Sequence, residues 1–367
     1  MLIKLKAVRH HIHIAIILCL SSLKCYPLNF LTVITHPDVS HSKIFRPLFY
    51  ENDKFLFYKG LKSDKNIVGY YKLDPALGWV HYKLDLTNEL LDIASGPNNT
   101  IAALLNAEGL GTFVSTTKDI KSWQTQHFIT NSYDVILNRI KLHGVDNLIV
   151  YDFYQNFPTN LKNIIYSSND GFQWTTHELP FPWTWASWDF NIEHKYVGEV
   201  FNEFISLQYV PSLSAVIFFV SNDFIHWSKT AIPFNNDRID KVFNNTNIFA
   251  VTVKNEQKNY HKLWVTFDLQ SWVDFLLPFN TELNDFQSFK NNRLLMLLNH
   301  ENNYSAVDDK ATELVLLNME NKDFKILQKF DGNVTNLSYV NNDLYLSGDF
   351  INPVDNVRAA LAIVNLD

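Results

Sequence analysis

The chain has 367 residues, 47% of them hydrophobic and 14% aromatic, which is enough apolar material for a large core. Charged residues make up only 19%, below the roughly one quarter that is usual in globular proteins. The formal net charge is −7 and the basic residues are dispersed, which argues against nucleic acid as a partner.

The first 25 residues differ from the rest of the chain. Lys4, Lys6 and Arg9 form a basic start, and a short apolar run follows over 12–20. Small residues then offer a cleavage site, and the apolar run is too short to span a bilayer. This pattern predicts a signal peptide over 1–25 and a secreted or lumenal protein, with a buried N-terminal strand as the alternative.

Cleavage of this leader would change the composition of the mature chain. Both cysteines, Cys19 and Cys25, lie in the leader, so the mature chain would contain none and would depend on its core for stability. It would keep 27 Lys and Arg against 38 Asp and Glu, a formal net charge of −11. Such a chain is expected to avoid anionic membranes as well as nucleic acid. No later segment reaches the roughly 18 apolar residues of a spanning helix, so no membrane span is expected in the mature chain.

Five Asn-x-Ser/Thr sequons occur in the chain, and surface sequons are candidate glycosylation sites if the host glycosylates secreted proteins. The sequons are at Asn98, Asn244, Asn303, Asn333 and Asn336. Their number is what chance predicts from the content of Asn, Ser and Thr, so the count itself carries no signal.

A seven-residue pattern recurs four times in the middle of the chain. Each copy has a hydroxyl residue, a spacer, an Asp, three further residues and a Trp, and the copies cover 117–123, 168–174, 221–227 and 266–272. Their tryptophans, Trp123, Trp174, Trp227 and Trp272, follow each other after 51, 53 and 45 residues. A period near 50 is typical of a propeller or another repeat array.

The segments between the copies indicate how each repeat is built. Short β-rich runs bounded by Gly, Asn, Asp and Pro predict four antiparallel strands per repeat, which is the blade of a propeller. Blades are predicted over 43–86, 89–128, 133–179, 195–233, 239–277 and 283–330. The first and the sixth carry degenerate copies of the motif, over 73–79 and 321–324.

The tail of the chain, residues 333–367, supplies only three strands, and one strand is spare at 30–35. An N-terminal strand that completes the last blade would close the ring and remove exposed strand edges. The sequence therefore predicts an all-β protein with a single propeller over 26–367. Seven four-stranded blades are predicted, with six as the alternative.

The four copies resemble the Asp-box, or BNR repeat, of sialidases and of sortilin-type sorting receptors. The copy Ser168–Trp174 matches best, whereas the others carry Ile120, Phe224 and Leu269 in place of Gly171. In this motif the Asp accepts backbone hydrogen bonds in the hairpin between the third and fourth strands, and the Trp fills the space between sheets. The resemblance implies that these motifs lie on the face away from any substrate, so the four Asp residues are expected to be structural.

Sialidase activity would require three arginines that converge on the propeller axis and bind a carboxylate. Arg46, Arg238 and Arg293 are the candidates: Arg46 stands in a shortened form of the family's Phe-Arg-Ile-Pro element, and the other two open predicted strands. No Glu occurs over 207–255, where the partner of a nucleophilic Tyr would be expected. A divergent sialidase-like glycoside hydrolase is therefore the alternative function, and no catalytic residue is assigned.

Three tryptophans, Trp183, Trp185 and Trp188, lie in the connection 181–190 between the third and fourth blades. Such connections leave the face opposite the motifs, where propellers usually bind ligands. The tryptophans could form a platform for sugar rings or an anchor for a protein. Alternatively, they fold inward and seal the gap between blades.

The expected function is a non-catalytic recognition module that binds a protein or a glycan through the face with the Trp connection. The histidines show no metal-ligand spacing and no Gly-rich phosphate loop follows a strand, so neither a metal nor a cofactor is expected. A fragment of a lumenal sorting receptor is a second alternative, which the expected lack of cysteines and of a membrane anchor disfavours.

Overall fold

The computed structural model describes residues 29–34, 40–50, 53–62, 65–84, 88–107, 111–127, 140–144, 147–152, 164–178, 195–210, 215–234, 237–245, 248–255, 260–278, 280–290, 292–300, 311–340, 342–351, 353 and 358–365. Within these ranges the chain forms 27 strands and one short 3-10 helix at Pro97–Asn99. The predicted signal peptide lies outside the described residues and stays a prediction. In the described part of the chain, no helix has the length and apolarity needed to cross a membrane.

Strand β1 covers Asn29–Ile34, and five separate four-stranded sheets follow it along the chain. In each sheet the strands lie side by side in sequence order and every neighbouring pair is antiparallel. Sheet 1 has β2 (Ser40–Tyr50), β3 (Asp53–Lys62), β4 (Lys65–Asp74) and β5 (Gly78–Lys83); sheet 2 has β6 (Glu89–Gly96), β7 (Thr100–Ala107), β8 (Gly111–Thr117) and β9 (Gln124–His127); sheet 3 has β10 (Ile140–Gly144), β11 (Leu148–Asp152), β12 (Ile164–Ser168) and β13 (Thr175–Glu178); sheet 4 has β14 (Lys195–Val200), β15 (Glu203–Val210), β16 (Ala215–Ser221) and β17 (Ser228–Thr230); sheet 5 has β18 (Arg238–Asn245), β19 (Ile248–Asn255), β20 (Tyr260–Thr266) and β21 (Trp272–Leu276).

The remaining strands form a seven-stranded sheet that divides into two units. They are β22 (Thr281–Phe289), β23 (Arg293–His300), β24 (Ala311–Asn318), β25 (Asp323–Val340), β26 (Asp343–Ile351) and β27 (Arg358–Asn365). The first half of β25, residues 323–331, pairs with β24, and its second half, residues 332–340, pairs with β26. Sheet 6 is therefore β22–β24 with the first half of β25, and sheet 7 is the second half with β26, β27 and β1.

The seven four-stranded units close into a ring. The first strand of each sheet contacts the first strand of the next, from β2 and β6 through to β22 and β25, and both β25 and β26 contact β2. The N-terminal strand β1 pairs with β27, with Asn29 opposite Asn365 and Ile34 opposite Leu361. This topology confirms the predicted all-β propeller with an N-terminal closing strand, and it favours seven blades over six.

Strand β23 shows why these blades form. Its sequence, Arg-Leu-Leu-Met-Leu-Leu-Asn-His, lacks the polar alternation of a half-exposed strand, and its six central residues are buried. Leu294 and Met296 pack into a cluster with sheet 5, whereas Leu295 and Leu297 pack into a cluster with sheet 7. Because a blade has a neighbour on each side, both faces of its strands are apolar. Full burial of such a side chain contributes about 1.5–3 kcal/mol, so the surfaces between blades stabilise the ring.

Candidate functional site

The strand directions divide the propeller into two ends. The repeated motifs join the third and fourth strands at one end, which we call the motif end. The connections from the second to the third strand, and from one sheet to the next, leave from the opposite end.

Each motif forms a hydrogen-bonded turn at the motif end. In the copy that precedes β9, Thr117 Oγ1 accepts the backbone N–H of Ile120 at 3.0 Å. Asp119 Oδ1 accepts the backbone N–H groups of Lys121 at 2.9 Å and Ser122 at 2.7 Å. The same pair of backbone bonds is made by Asp170, Asp223 and Asp268. These carboxylates therefore hold their own turns, as the sequence predicted.

The position after each Asp has left-handed backbone. Its φ is 62° at Ile120, 80° at Gly171, 62° at Phe224 and 59° at Leu269. A Cβ on Gly171 would lie 3.0 Å from the side chain of Thr100 in sheet 2, so a side chain in this copy would make a tight contact with that threonine. The side chains in the other three copies are buried against the preceding sheet, which offsets the strain of left-handed backbone. In these three copies, a buried apolar side chain therefore stands where the fourth copy has Gly171.

The four tryptophans occupy matching places. Each starts or directly precedes the fourth strand of its sheet and packs against an apolar cluster shared with the preceding sheet. Trp123 lies between sheets 1 and 2, Trp174 between sheets 2 and 3, Trp227 between sheets 3 and 4, and Trp272 between sheets 4 and 5. The tryptophans therefore fill the space between blades, as predicted.

Because of the motif turns, the stability of the fold is expected to decrease as the pH falls in the acid range. The N–H of Ser122 above all holds the pKa of Asp119 at about 2, and the N–H of Ser271 does the same for Asp268, against an ordinary value of about 3.9. A carboxyl whose pKa is lower in the folded state stabilises the fold above pH 4 and loses this contribution as the pH falls towards 2.

We expect Asp268→Asn to melt at a lower temperature than the parent protein at neutral pH, and this difference to shrink between pH 4 and pH 2. Thermal melts followed by circular dichroism at several pH values measure it. Asp331→Asn, at an exposed position outside the motifs, is the control and should show no such trend. A difference for Asp268→Asn that is constant over this pH range would contradict the role of the turn.

The three arginines predicted to bind a carboxylate do not meet at one end. Arg238 begins β18, a first strand, at the opposite end, whereas Arg293 begins β23, a second strand, at the motif end. Arg46 lies within β2, where the register with β3 shifts between Ile44 and Pro47. A strand of this length separates the two ends by about 25 Å, which weighs against one carboxylate shared by Arg238 and Arg293. The set of three arginines itself stays a prediction.

Trp183, Trp185 and Trp188 lie outside the described residues, and the platform they were predicted to form stays a prediction. Their segment runs between Glu178, the last residue of β13, and Lys195, the first residue of β14. Both of these strand ends are at the opposite end of the propeller.

The sequons differ in their surroundings. Asn98 is exposed in the turn at the end of β6, and its Nδ2 donates to the carbonyl of Asn169 at 3.4 Å. The side-chain amides of Asn244, Asn333 and Asn336 make hydrogen bonds within or between sheets, and Asn333 accepts bonds that join sheets 6 and 7. Asn303 lies outside the described residues. Asn98 is the most exposed Asn among the described sequons, and glycosylation of all five stays a prediction.

A charged cluster lies at the opposite end where sheets 5 and 6 meet, and we call it the sheet 5–6 cluster. Its members are Asp240, Lys241, Lys254, His261 and Glu282. Lys241 Nζ lies 2.6 Å from Glu282 Oε1 and donates to the carbonyl of Leu283 at 3.1 Å. Burial above all, and then the charge of Glu282, raises the pKa of the Asp240 carboxyl.

The sequence analysis missed this cluster, because its members are spread over four strands with no motif spacing. In the described part of the chain, no three His, Cys, Asp or Glu residues are placed to hold a metal ion.

No family model matches the chain, and the search of curated proteins finds no match. Solved structures do resemble it. Virginiamycin B lyase from Staphylococcus aureus, a catalytically inactive variant with quinupristin, has a TM-score of 0.54 at 10% identity over 93% of this chain and 99% of that chain. The β-propeller domain of the Trilobed protease from Pyrococcus furiosus has a TM-score of 0.57 at 10% identity over 89% of this chain and 97% of that chain. A puromycin-hydrolyzing peptidase from Mycobacterium tuberculosis has a TM-score of 0.52 at 8% identity over 90% of this chain and 56% of that chain. At such identities the likeness shows the fold alone, which is that of a β-propeller.

Proposed function

We propose that this protein is a secreted or lumenal recognition module that binds a protein or a glycan at the opposite end of its propeller. The observation that carries the proposal is the contrast between the two ends. At the motif end, the repeated carboxylates accept the N–H groups of their own turns. At the opposite end, the sheet 5–6 cluster brings five titratable side chains together, among which Lys241 pairs with Glu282.

The connections between strands also favour the opposite end as the place where a ligand binds. The longest gaps between described strands cover 128–139, 153–163, 179–194 and 301–310, and the strands on either side of each gap meet it at the opposite end. Binding residues are often found on connections held by a rigid scaffold. One of these connections carries Trp183, Trp185 and Trp188, which suits a ligand with sugar rings or an apolar side chain.

We also infer that the four motif copies are Asp-boxes. Their support is the turn geometry: an Asp that accepts two backbone N–H groups, a hydroxyl that accepts a third in the copies of sheets 2 and 3, and a Trp packed towards the preceding sheet. This assignment concerns the architecture and is compatible with binding or with catalysis.

A divergent sialidase-like hydrolase is the alternative. The positions of Arg238 and Arg293 at different ends weigh against it, since a hydrolase of that type needs its arginines around one carboxylate. An enzyme on this scaffold would have to use other residues.

The test is a screen of the purified chain without residues 1–25 on a glycan array and against fluorogenic sialosides and glycosides. We expect a saturable ligand that changes tryptophan emission, no turnover, and loss of binding in Trp185→Ala. Phe267→Ala, at an exposed position of the motif end, is the matched control and should bind normally. Turnover of a sialoside that Arg46→Ala abolishes would overturn the proposal in favour of the hydrolase, and equal binding by Trp185→Ala and the parent would remove the Trp connection from the site.

A further inference from the structure

We propose that Asn98 carries an N-linked glycan at the motif end of the propeller, and that Asn244, Asn333 and Asn336 carry none. This inference rests on the secretion that the proposed function includes, because a sequon receives its glycan in a glycosylating secretory pathway. In the sequence, all five sequons are equivalent candidates. In the folded chain, the four described ones differ in exposure, in their place in the ring and in the bonds of their side-chain amides.

Asn98 lies in a tight turn that faces solvent. The turn joins β6 to β7 as the short 3-10 helix Pro97–Asn99, and both Asn98 and Asn99 are exposed. The backbone of Asn98 is left-handed, with a φ of 53° and a ψ of 38°, which Asn adopts more readily than most residues do. An exposed turn of this kind can hold a bulky glycan without displacing packed groups.

The side-chain amide of Asn98 can take a sugar and keep its contact with the neighbouring sheet. Its Nδ2 donates to the carbonyl of Asn169, in the motif turn of sheet 3, at 3.4 Å, which is longer than an ordinary hydrogen bond. An amide nitrogen carries two hydrogens, and attachment of a sugar replaces only one of them. The contact with Asn169 therefore does not oppose the glycan, and it places the glycan beside sheet 3 at the motif end.

Thr100, the hydroxyl residue of the same sequon, is held inside the fold. It is 1% exposed, and its Oγ1 donates to the carbonyl of Pro97 at 2.7 Å. Its side chain also lies against the motif turn of sheet 3, since a Cβ on Gly171 would come within 3.0 Å of it. An enzyme that recognises this hydroxyl cannot reach it once sheets 2 and 3 have packed together. The glycan is therefore added before the turn folds.

The other described sequons lie in the first strands of their sheets, which form the inner ring of the propeller. Asn244 is in β18, and Asn333 and Asn336 are in the second half of β25. All three are partly buried, and Asn244 Nδ2 donates to the carbonyl of Glu199 in sheet 4 at 3.0 Å. Both strands contact a neighbouring first strand on either side. A glycan here would have to displace contacts between sheets.

The amides of Asn333 and Asn336 also have structural bonds. Asn333 Oδ1 accepts from Asn284 Nδ2 at 3.1 Å and from Asn299 Nδ2 at 2.9 Å, and these bonds join sheet 6 to sheet 7. Asn336 Nδ2 donates to Thr335 Oγ1 at 2.8 Å. A glycan on either residue would therefore destabilise the last two blades, so the folded chain should carry none there.

A glycan at Asn98 would also affect the choice between the two ends. It would stand next to the motif turn of sheet 3 and hinder a macromolecule from docking at the motif end. The opposite end, with the sheet 5–6 cluster and the connection 179–194, would stay open. The glycan would thus favour the same end for a ligand as the proposed function does.

The experiment is glycan mapping of the full chain expressed in cultured mammalian cells. The protein is purified from the medium and from the cells, denatured, treated with peptide N-glycosidase in heavy-oxygen water, digested and analysed by mass spectrometry. The enzyme converts each glycosylated Asn into an Asp that carries the heavy oxygen. We expect this label at Asn98 and none at Asn244, Asn333 and Asn336.

Asn98→Asp suits the left-handed backbone of the turn but removes the sequon, so it should lower the mass of the secreted chain by one glycan. It should melt as the parent does after removal of its glycans, which separates a lost glycan from a lost fold. Thr100→Ser is the matched control, because it keeps both a sequon and the hydroxyl that bonds Pro97. It should carry the glycan at Asn98 as the parent does.

Two results would overturn the inference: an unmodified Asn98 in the secreted chain, or a glycan at Asn244, Asn333 or Asn336 with an occupancy equal to that at Asn98. A second chain, in which an established secretory leader replaces residues 1–25, separates the inference from the secretion on which it rests. A glycan at Asn98 in this second chain alone would support the site and count against secretion by the first 25 residues. An unmodified Asn98 in both chains would sink the inference and leave ligand binding at the opposite end intact.

Discussion

Replacing Trp272 with Ala is expected to lower the free energy of unfolding by about 3–5 kcal/mol. The indole lies between sheets 4 and 5 and meets three phenylalanine rings edge to face, with centroid distances of 5.2 Å to Phe234, 6.0 Å to Phe249 and 6.3 Å to Phe218. Ala at this position would leave a cavity between two blades, and rigid sheets on both sides cannot collapse to fill it.

Urea unfolding followed by circular dichroism measures this loss. Phe267→Ala is the matched control, because Phe267 is an aromatic residue of the same turn but is 46% exposed. Its effect should stay within about 0.5 kcal/mol, as for most surface substitutions. Equal effects of the two substitutions would mean that the indole does not contribute to the packing between blades.

Gly332→Ala is expected to lower the free energy of unfolding by more than about 4 kcal/mol, or to prevent folding. Gly332 lies where β25 leaves sheet 6 and enters sheet 7, with a φ of 113°. A Cβ there would lie 2.5 Å from the backbone oxygen of Asp349 and 2.6 Å from Cα of Phe350. Both neighbours are backbone atoms of the paired strand, so no change of rotamer can relieve the contact. The substitution would therefore separate the strands that join the last two blades.

Gly78→Ala separates the steric part of this effect from the conformational part. Gly78 also has positive φ, 76°, but no atom lies within 4 Å of the position of a Cβ. Only the strain of left-handed backbone remains, about 1–2 kcal/mol. Soluble yield and melting temperature of the two variants give the comparison. A Gly332→Ala protein as stable as Gly78→Ala would show that β25 does not need a glycine at the crossing.

The repeat could be predicted because its interactions are local. The Asp at each turn bonds N–H groups two and three residues further along the chain, so the pattern is visible in the sequence at every copy. The spacing of the tryptophans then indicated a repeat array, the β-rich runs between the turns indicated four strands per repeat, and the spare strand at the N-terminus indicated how the ring closes. Local bonding and chain order were enough for the architecture.

The arginine prediction depends on information that local patterns do not contain, namely the end of the propeller at which each strand begins. Arg238 and Arg293 both begin strands, but one strand is the first of its sheet and the other is the second, so they run in opposite directions. The position of a residue at the start of a strand does not say which end of the propeller it occupies. Gly171 is a similar case, since its closeness to Thr100 depends on the neighbouring blade.

The sequence by itself determined the propeller, the motif turns and the place of the tryptophans between blades, because these follow from interactions within a few residues and from the order of the strands. Only the tertiary structure brings together the sheet 5–6 cluster, in which Asp240, His261 and Glu282 come from different strands of two sheets. Their proximity depends on where a bulge interrupts β18 and on how two blades pack around the ring. Neither of these leaves a periodic trace in the amino-acid sequence, because contacts between blades join residues at irregular separations along the chain.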